Sequence, residues 1–483
     1  EGSMQRNGST HRNSVLEYCL LTSLFMVWLG LHSSYAQNPT ATPILPRSVI
    51  LTETPTEIPT ATVTPIPTSK YDDLVVSQGF GGETLVNVRY FNEANAAYSS
   101  IRRSFSGIPP SFEQQIGGGE DRATYLASGD LDGDGIQDIV TSFGPITETN
   151  TDTPNLVMVR NSLTKKIIGH FFVVFPTGFL YPMQYNIGDI RATVGQFIGS
   201  NPLQVAVAQG FGGYGLIRIY QFNNDPANNY WKAVSQIKGL PDDRISQNGI
   251  KIGMNLASGD LDQDGLDELI VGQTNGPTSK TIFHVLKIDQ LGRITKRLTF
   301  YGFIPRFRGN GGIEIQVADL NGDRYPEIIV GSMGNSRNFK DIRDSVPLNL
   351  VGIISPVIEN EQLAGFTYPL GKSVFNAFSA KVNPSGAVTL AAGEFDGNSE
   401  NGKELAIGTS ARIEVSEEGI AYRSPAPEPR YKLMKVHFDG TTISKIQTLG
   451  PSKGYLAFVG NSVPTSKTIY LSGIKSYLGL MEN

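Results

Sequence analysis

From about residue 70 onward, short runs of β-branched and aliphatic residues recur. Each is preceded by a polar segment and followed by a small or glycine-rich turn. Asp138 leads into Ile139-Val140-Thr141-Ser142-Phe143, Glu268 into Leu269-Ile270-Val271, Glu327 into Ile328-Ile329-Val330 and Glu404 into Leu405-Ala406-Ile407. Weaker copies start at Asp73 (Leu74-Val75-Val76) and Gln204 (Val205-Ala206-Val207). Runs of this length and composition, bounded by turn residues, predict buried strands. Two copies continue alike: Gln78-Gly79-Phe80-Gly81-Gly82 precedes Val86 to Phe91, and Gln209-Gly210-Phe211-Gly212-Gly213 precedes Ile217 to Phe222. The alternation after each glycine cluster predicts a half-buried partner strand. Leu156 to Arg160 and Phe283 to Ile288 are further candidate strands.

The anchors 73, 138, 204, 268, 327 and 404 recur about every 65 residues. A repeat of this size with about four short strands predicts an all-β fold, one propeller blade per repeat. The blade count is open between six and seven. Tyr455-Leu456-Ala457-Phe458 resembles Tyr125-Leu126-Ala127-Ser128 and offers the strand that the first repeat lacks, which gives six. Ile469-Tyr470-Leu471-Ser472-Gly473 reads as the start of a seventh.

Residues 1–69 read differently. Arg6, His11 and Arg12 precede an apolar run from Tyr18 to Leu31, and Ser34-Tyr35-Ala36 follows. This is the pattern of a secretory signal peptide over 1–36, cut after Ala36. The run is shorter than the ~20 apolar residues that span a bilayer. Residues 37–69 are rich in Thr and Pro and predict an extended linker or stalk. The propeller then occupies 70–483, with no transmembrane helix in the mature chain and a secreted or cell-surface location. The single cysteine, Cys19, falls within the signal, so the mature chain has no disulfide or thiolate chemistry. A net charge of -5 gives no footprint for nucleic acid.

The polar segments before three of the strands carry the candidate chemistry. Oxygen-bearing side chains stand at loop positions 1, 3, 5 and 9: Asp130, Asp132, Asp134 and Asp138; Asp260, Asp262, Asp264 and Glu268; Asp319, Asn321, Asp323 and Glu327. The carbonyl at position 7 (Ile136, Leu266, Tyr325) completes the set. Hard oxygens at this spacing suit calcium, which takes about 6–8 of them. An EF-hand is excluded, because position 12 (Thr141, Val271, Val330) lies inside a strand pattern. A fourth, irregular loop has Glu394, Asp396 and Asn398 before Glu404; the Gln196 to Gln204 copy has lost its carboxylates. By ligand charge, the first two loops bind most tightly, the third less and the fourth least.

These Asp-x-Asp-x-Asp-Gly loops, with Phe143-Gly144-Pro145 and Asn275-Gly276-Pro277 behind them, resemble FG-GAP repeats and the related VCBS repeats of bacterial surface proteins. The resemblance runs from about Tyr71 onward. It implies an integrin α-subunit-like propeller with calcium in loops on one face, and seven blades.

No nucleophile elbow, His-Glu-x-x-His or phosphate loop is present. His170, His284 and His437 lie in strand-like runs and read as satisfied sheet residues. The chain is therefore expected not to be an enzyme, but a recognition or adhesion module whose loops bind protein or glycan. The alternative is a carbohydrate-active enzyme, a polysaccharide lyase or glycosidase, with carboxylates assembled across blades. Tyr214, Tyr230 and Trp231 either stack on sugars or pack between blades.

Overall fold

In the computed structural model the chain divides into Glu1–Val63 and Thr64–Asn483. The described residues run from Thr68 to Tyr477, apart from connecting segments, the longer of which are 79–84, 109–123, 144–154, 176–189, 210–214, 224–229, 241–252, 275–279, 334–348, 416–420, 424–429 and 456–468. The signal and linker expectations, both glycine clusters, Tyr214 and the Asn275-Gly276-Pro277 turn lie outside them. Among the described residues no helix is long and apolar enough to cross a membrane.

Apart from a small separate hairpin, Ile413–Val415 with Ala421–Arg423, the strands form six blades arranged as a β-propeller, each built on four antiparallel strands. Blade 2 runs from inner to outer strand as Tyr125–Gly129, Asp138–Phe143, Asn155–Asn161 and Ile167–Val173. Blade 3 is Ile190–Gly195, Gln204–Gln209, Leu216–Phe222 and Trp231–Lys238. Blade 4 is Met254–Gly259, Glu268–Gln273, Ile282–Ile288 and Ile294–Tyr301. Blade 5 is Ile313–Ala318, Glu327–Ser332, Leu350–Glu359 and Gln362–Thr367, with Val374–Asn376 beside its third strand. Blade 6 is Ala387–Gly393, Glu404–Ser410, Arg430–Phe438 and Thr442–Tyr455, edged by the short strand Leu370–Gly371.

Blade 1 closes the ring. Its outer three strands are Thr68–Gln78, Leu85–Asn92 and Ala97–Ser106, and its inner strand is Ile469–Tyr477. Val75 pairs with Ser472 and Val76 with Leu471. The ring therefore has six blades. The segment that completes the first repeat is the one that reads as a seventh, whereas Tyr455 ends the outer strand of blade 6.

Burial explains the sequence pattern. Each second strand is covered on both faces by neighbouring blades, so Asp138–Phe143, Glu268–Gln273 and Glu327–Ser332 are buried throughout. The outer strand Ile294–Tyr301 is only partly covered and keeps Thr, Lys and Arg among its apolar residues. The apolar clusters lie between consecutive blades. Ile217, Ile219 and Ile237 of blade 3 meet Leu269, Val271 and Leu286 of blade 4, and Leu74 and Val76 of blade 1 meet Ala406 and Leu433 of blade 6. Each such side chain contributes about 1.5–3 kcal/mol on burial. Trp231 is one of these packing residues: it is buried, with ring centroids 5.1 Å from Phe171 of blade 2 and 5.4 Å from Phe222.

The two ends of the ring differ. The turns from inner to second strand at 130–137, 260–267, 319–326 and 394–403 carry the acidic loops, and the equivalent turn of blade 3, before Gln204, carries no carboxylate. At the opposite end the inner strands begin, among them those starting at Tyr125, Ile190, Met254 and Ile313.

Candidate functional site

The acidic loops share one construction. Position 9 opens the second strand, and one of its carboxylate oxygens accepts the backbone N–H of position 2. The pairs are Leu131 with Asp138 (3.0 Å), Leu261 with Glu268 (2.9 Å) and Leu320 with Glu327 (3.0 Å). In the irregular fourth loop Glu404 accepts from Phe395 and Asp396. In blade 3 the neutral Gln204 does the same work, accepting from Phe197 and Ile198 at 2.7 and 3.0 Å. This bond therefore shapes the turn without any need for charge.

Position 1 also serves the turn. Asp130 accepts from Gly133 and Gly135, Asp260 from Asp264 and Gly265, and Asp319 from Gly322 and Arg324. The amides of Ile136, Leu266 and Tyr325 donate to Asp134, Asp264 and Asp323. Position 6 needs a left-handed backbone, with φ of 82° at Gly135 and 86° at Gly265; Arg324 adopts 78° without a glycine's freedom.

Carboxylates are thereby crowded. Asp130, Asp132 and Asp138 bring ligand atoms within 4.8 Å of one another, as do Asp260, Asp262 and Glu268, and Glu394, Asp396 and Glu404. These groups can hold a metal ion. In the third loop the amide of Asn321 donates to Asp323 at 2.8 Å. Burial, reinforced by neighbouring carboxylates, pushes Asp138, Glu268 and Glu327 up to about 8 and Glu404 up to about 7.

The loops differ in what faces the second oxygen of position 9. The third strand of each blade places one residue there. Asp138 pairs with Asn161, and one step beyond the pairs Leu269–Leu286, Ile328–Ile354 and Leu405–Met434 stand Lys287, Ser355 and Lys435. In loop one, Asn161 turns to Asp134 at 3.0 Å, and Asp138 Oδ1 is buried without a hydrogen-bond partner. A fully buried carboxylate oxygen of this kind fits a cation ligand. In loop two, Lys287 Nζ lies 2.8 Å from Asp262, 2.7 Å from Asp264 and, as an ion pair only, 3.5 Å from Glu268, whose buried Oε1 likewise accepts no hydrogen bond. In loop three, Ser355 Oγ lies 3.5 Å from Glu327. In loop four, Lys435 bonds Asp396 and lies 3.3 Å from Glu404, while Glu394 Oε2 has no hydrogen-bond partner. Sequence reasoning missed both lysines, because the connections between second and third strands vary in length.

A second constellation lies at the opposite end, where the inner strands begin. Tyr125, Arg191, Asn255 and Glu314 come from blades 2, 3, 4 and 5 at equivalent positions. Arg191 donates to Tyr125 Oη at 3.0 Å and to Asn255 Oδ1, and stacks 3.9 Å from the Tyr125 ring centre. Its guanidinium lies 3.6 Å from Glu314, and Asn255 Nδ2 donates to Glu314 at 3.1 Å. Burial pushes Glu314 up to about 7, against the opposing pull of Arg191. Between the two ends the inner strands line a cavity of about 200 Å³, with Ser128, Thr193, Ser258, Gln316 and Ser472 among its walls. His284 and His437 lie elsewhere, His284 meeting Thr299 at 2.8 Å and His437 meeting Gln447 at 3.0 Å.

No family model matches the chain, and no curated protein does. Solved structures do. An exotype rhamnogalacturonan lyase, YesX, is 10% identical over 83% of this chain and 80% of its own, with a TM-score of 0.34. The Aleuria aurantia lectin, in complex with α-methyl-L-fucoside, is 10% identical over 69% and 98%, with a TM-score of 0.32. The fructofuranosidase of Schwanniomyces occidentalis is 9% identical over 85% and 97%, with a TM-score of 0.30. The lyase and the fructofuranosidase correct the expectation that the chain is not an enzyme. That expectation rested on missing local motifs. The Glu314 constellation shows how this fold gathers polar groups from four separate repeats, which no local motif records.

Proposed function

We propose that the protein is an exported, calcium-stabilised β-propeller that acts on carbohydrate. Its cations sit at one end of the ring and its working site at the other. The observation that carries this reading is the Tyr125–Arg191–Asn255–Glu314 constellation, set at the far end of the channel from the acidic loops. A half-buried carboxyl poised near neutrality is suited to general acid–base work. The hydroxyl and amide groups along the channel suit a polyhydroxylated ligand. The calcium half rests on the loop-one carboxylates, on the buried Asp138 Oδ1, and on the resemblance of the loops to FG-GAP repeats. Export rests on the pattern of residues 1–36.

The test is a polysaccharide panel, read for new reducing ends and unsaturated products, with a glycan array in parallel. Turnover that falls at least tenfold in Glu314→Gln, with unchanged metal content, supports the catalytic reading. Glycan binding without turnover returns the protein to a recognition module. Neither binding nor turnover on any glycan rejects carbohydrate as its ligand.

A further inference from the structure

Loops one and two read alike in sequence, with four carboxylates each and a glycine at position 6. They differ in the structure. The ammonium of Lys287 lies among Asp262, Asp264 and Glu268, within 2.7–3.5 Å of an oxygen of each. The Asp262 and Glu268 side chains are only 2% and 1% exposed. Calcium needs those same oxygens at about 2.3–2.6 Å. An ammonium group already in contact with them fills the same space with the same sign of charge, so the two exclude each other.

We infer that Lys287 is a built-in counter-ion that takes the place of calcium in loop two, so that this loop is closed to the metal while loop one is open to it. Lys435 stands at the equivalent place in blade 6, bonded to Asp396 and Glu404, and repeats the arrangement. Asn161 is the corresponding residue of loop one. It is neutral and turns to Asp134, which leaves Asp138 Oδ1 for a cation. The inference rests on the calcium reading of the loops and changes its ranking: the residue opposite position 9, and not the number of carboxylates, decides which loop takes metal.

Lys287→Asn copies the loop-one residue into loop two. Bound calcium per chain is measured by elemental analysis after dialysis and by isothermal titration, for the parent, Lys287→Asn and Asp264→Asn. The inference expects Lys287→Asn to hold one more ion than the parent, and Asp264→Asn to hold the same number. Loss of one ion in Asp264→Asn overturns it, because loop two then binds calcium with its lysine present. That arm also decides the matter if Lys287→Asn fails to fold. An unchanged count in a folded Lys287→Asn overturns it as well. If the parent holds no calcium but Lys287→Asn gains an ion, the closing of loop two by Lys287 is upheld and the opening of loop one is overturned. If neither holds calcium, both fall.

Discussion

Asp138 has two oxygens with two different tasks. One closes the turn by accepting from Leu131, and the other is buried without a hydrogen-bond partner. Asn keeps the first task and lacks the charge needed for the second. Asp138→Asn is therefore expected to melt like the parent in chelator and to lose the stabilisation that calcium gives the parent. At a hundredfold excess over the dissociation constant, that is about 2.7 kcal/mol. Thermal melts of both proteins with calcium and with chelator check this. Arg324 presents the opposite case, a side chain held at a φ of 78° where the first two loops use glycine. Arg324→Gly should raise stability by roughly 0.5–1 kcal/mol, since the relief of left-handed strain is partly offset by greater freedom of the unfolded chain. Denaturant unfolding should show the gain in chelator too, because it does not depend on metal. At this scale the sequence shows which residues carry oxygen. It does not show which oxygens the backbone already uses, nor that Lys287 comes to lie among three of them.

The repeated element is a turn followed by a buried strand, and its recurrence is what made the fold legible. Asp138, Glu268, Glu327 and Glu404 each begin a second strand, as the sequence pattern predicts, and so does Gln204. Gln204 also shows the limit of that pattern, since conserving the turn needs only an acceptor at position 9. The inner strands were harder to read. Tyr125, Arg191, Asn255 and Glu314 each stand first or second in their strand, and sequence gives no reason to group them. Only the ring brings them together. Glu314 also makes a prediction about pH. Its folded pKa of about 7 lies above the unfolded value near 4.5, so the folded state holds the proton more tightly. The associated stabilisation is complete below about pH 4.5 and is lost as pH rises through about 7. Relative to Glu314→Gln, the parent should lose on the order of 3 kcal/mol across that window. Parallel denaturant titrations at pH 4.5 and pH 8 measure the difference; equal slopes for the two proteins would place the titration elsewhere.

At the scale of the whole molecule, the ring depends on the strand Ile469–Tyr477 lying between blades 6 and 2. Leu471 is 5% exposed and packs with Leu74, Val76, Ala391 and Phe395, so it joins blade 1 to blade 6. Leu471→Ala should cost about 2–5 kcal/mol. Cleavage by a protease at low concentration should be faster in the variant, with cuts concentrated in blades 1 and 6. A uniform pattern of cuts would show that closure is not the weak point. The sequence showed a propeller and left six or seven blades open. The ambiguity had a physical source: an inner strand looks the same whether it starts a blade or completes one, and the difference is its partner, 400 or so residues away.

The pairing of Asp72 with Lys475 also sets an order of events in folding. Blade 1 has three strands of its own early in synthesis, with Leu74 and Val76 in want of a neighbour, and must wait for the last strand to be made. Contacts so distant in sequence usually slow folding, because the intervening chain must first be brought together. Here the five intervening blades are each built from neighbouring segments and can fold as they emerge. Once they have stacked, the final strand is held near its place by a folded arc instead of by a loose chain, and the entropy of closing the ring has already been spent blade by blade. Refolding from the fully unfolded chain loses that sequence of steps, so blade 1 should be the last part of the molecule to gain protection against hydrogen exchange.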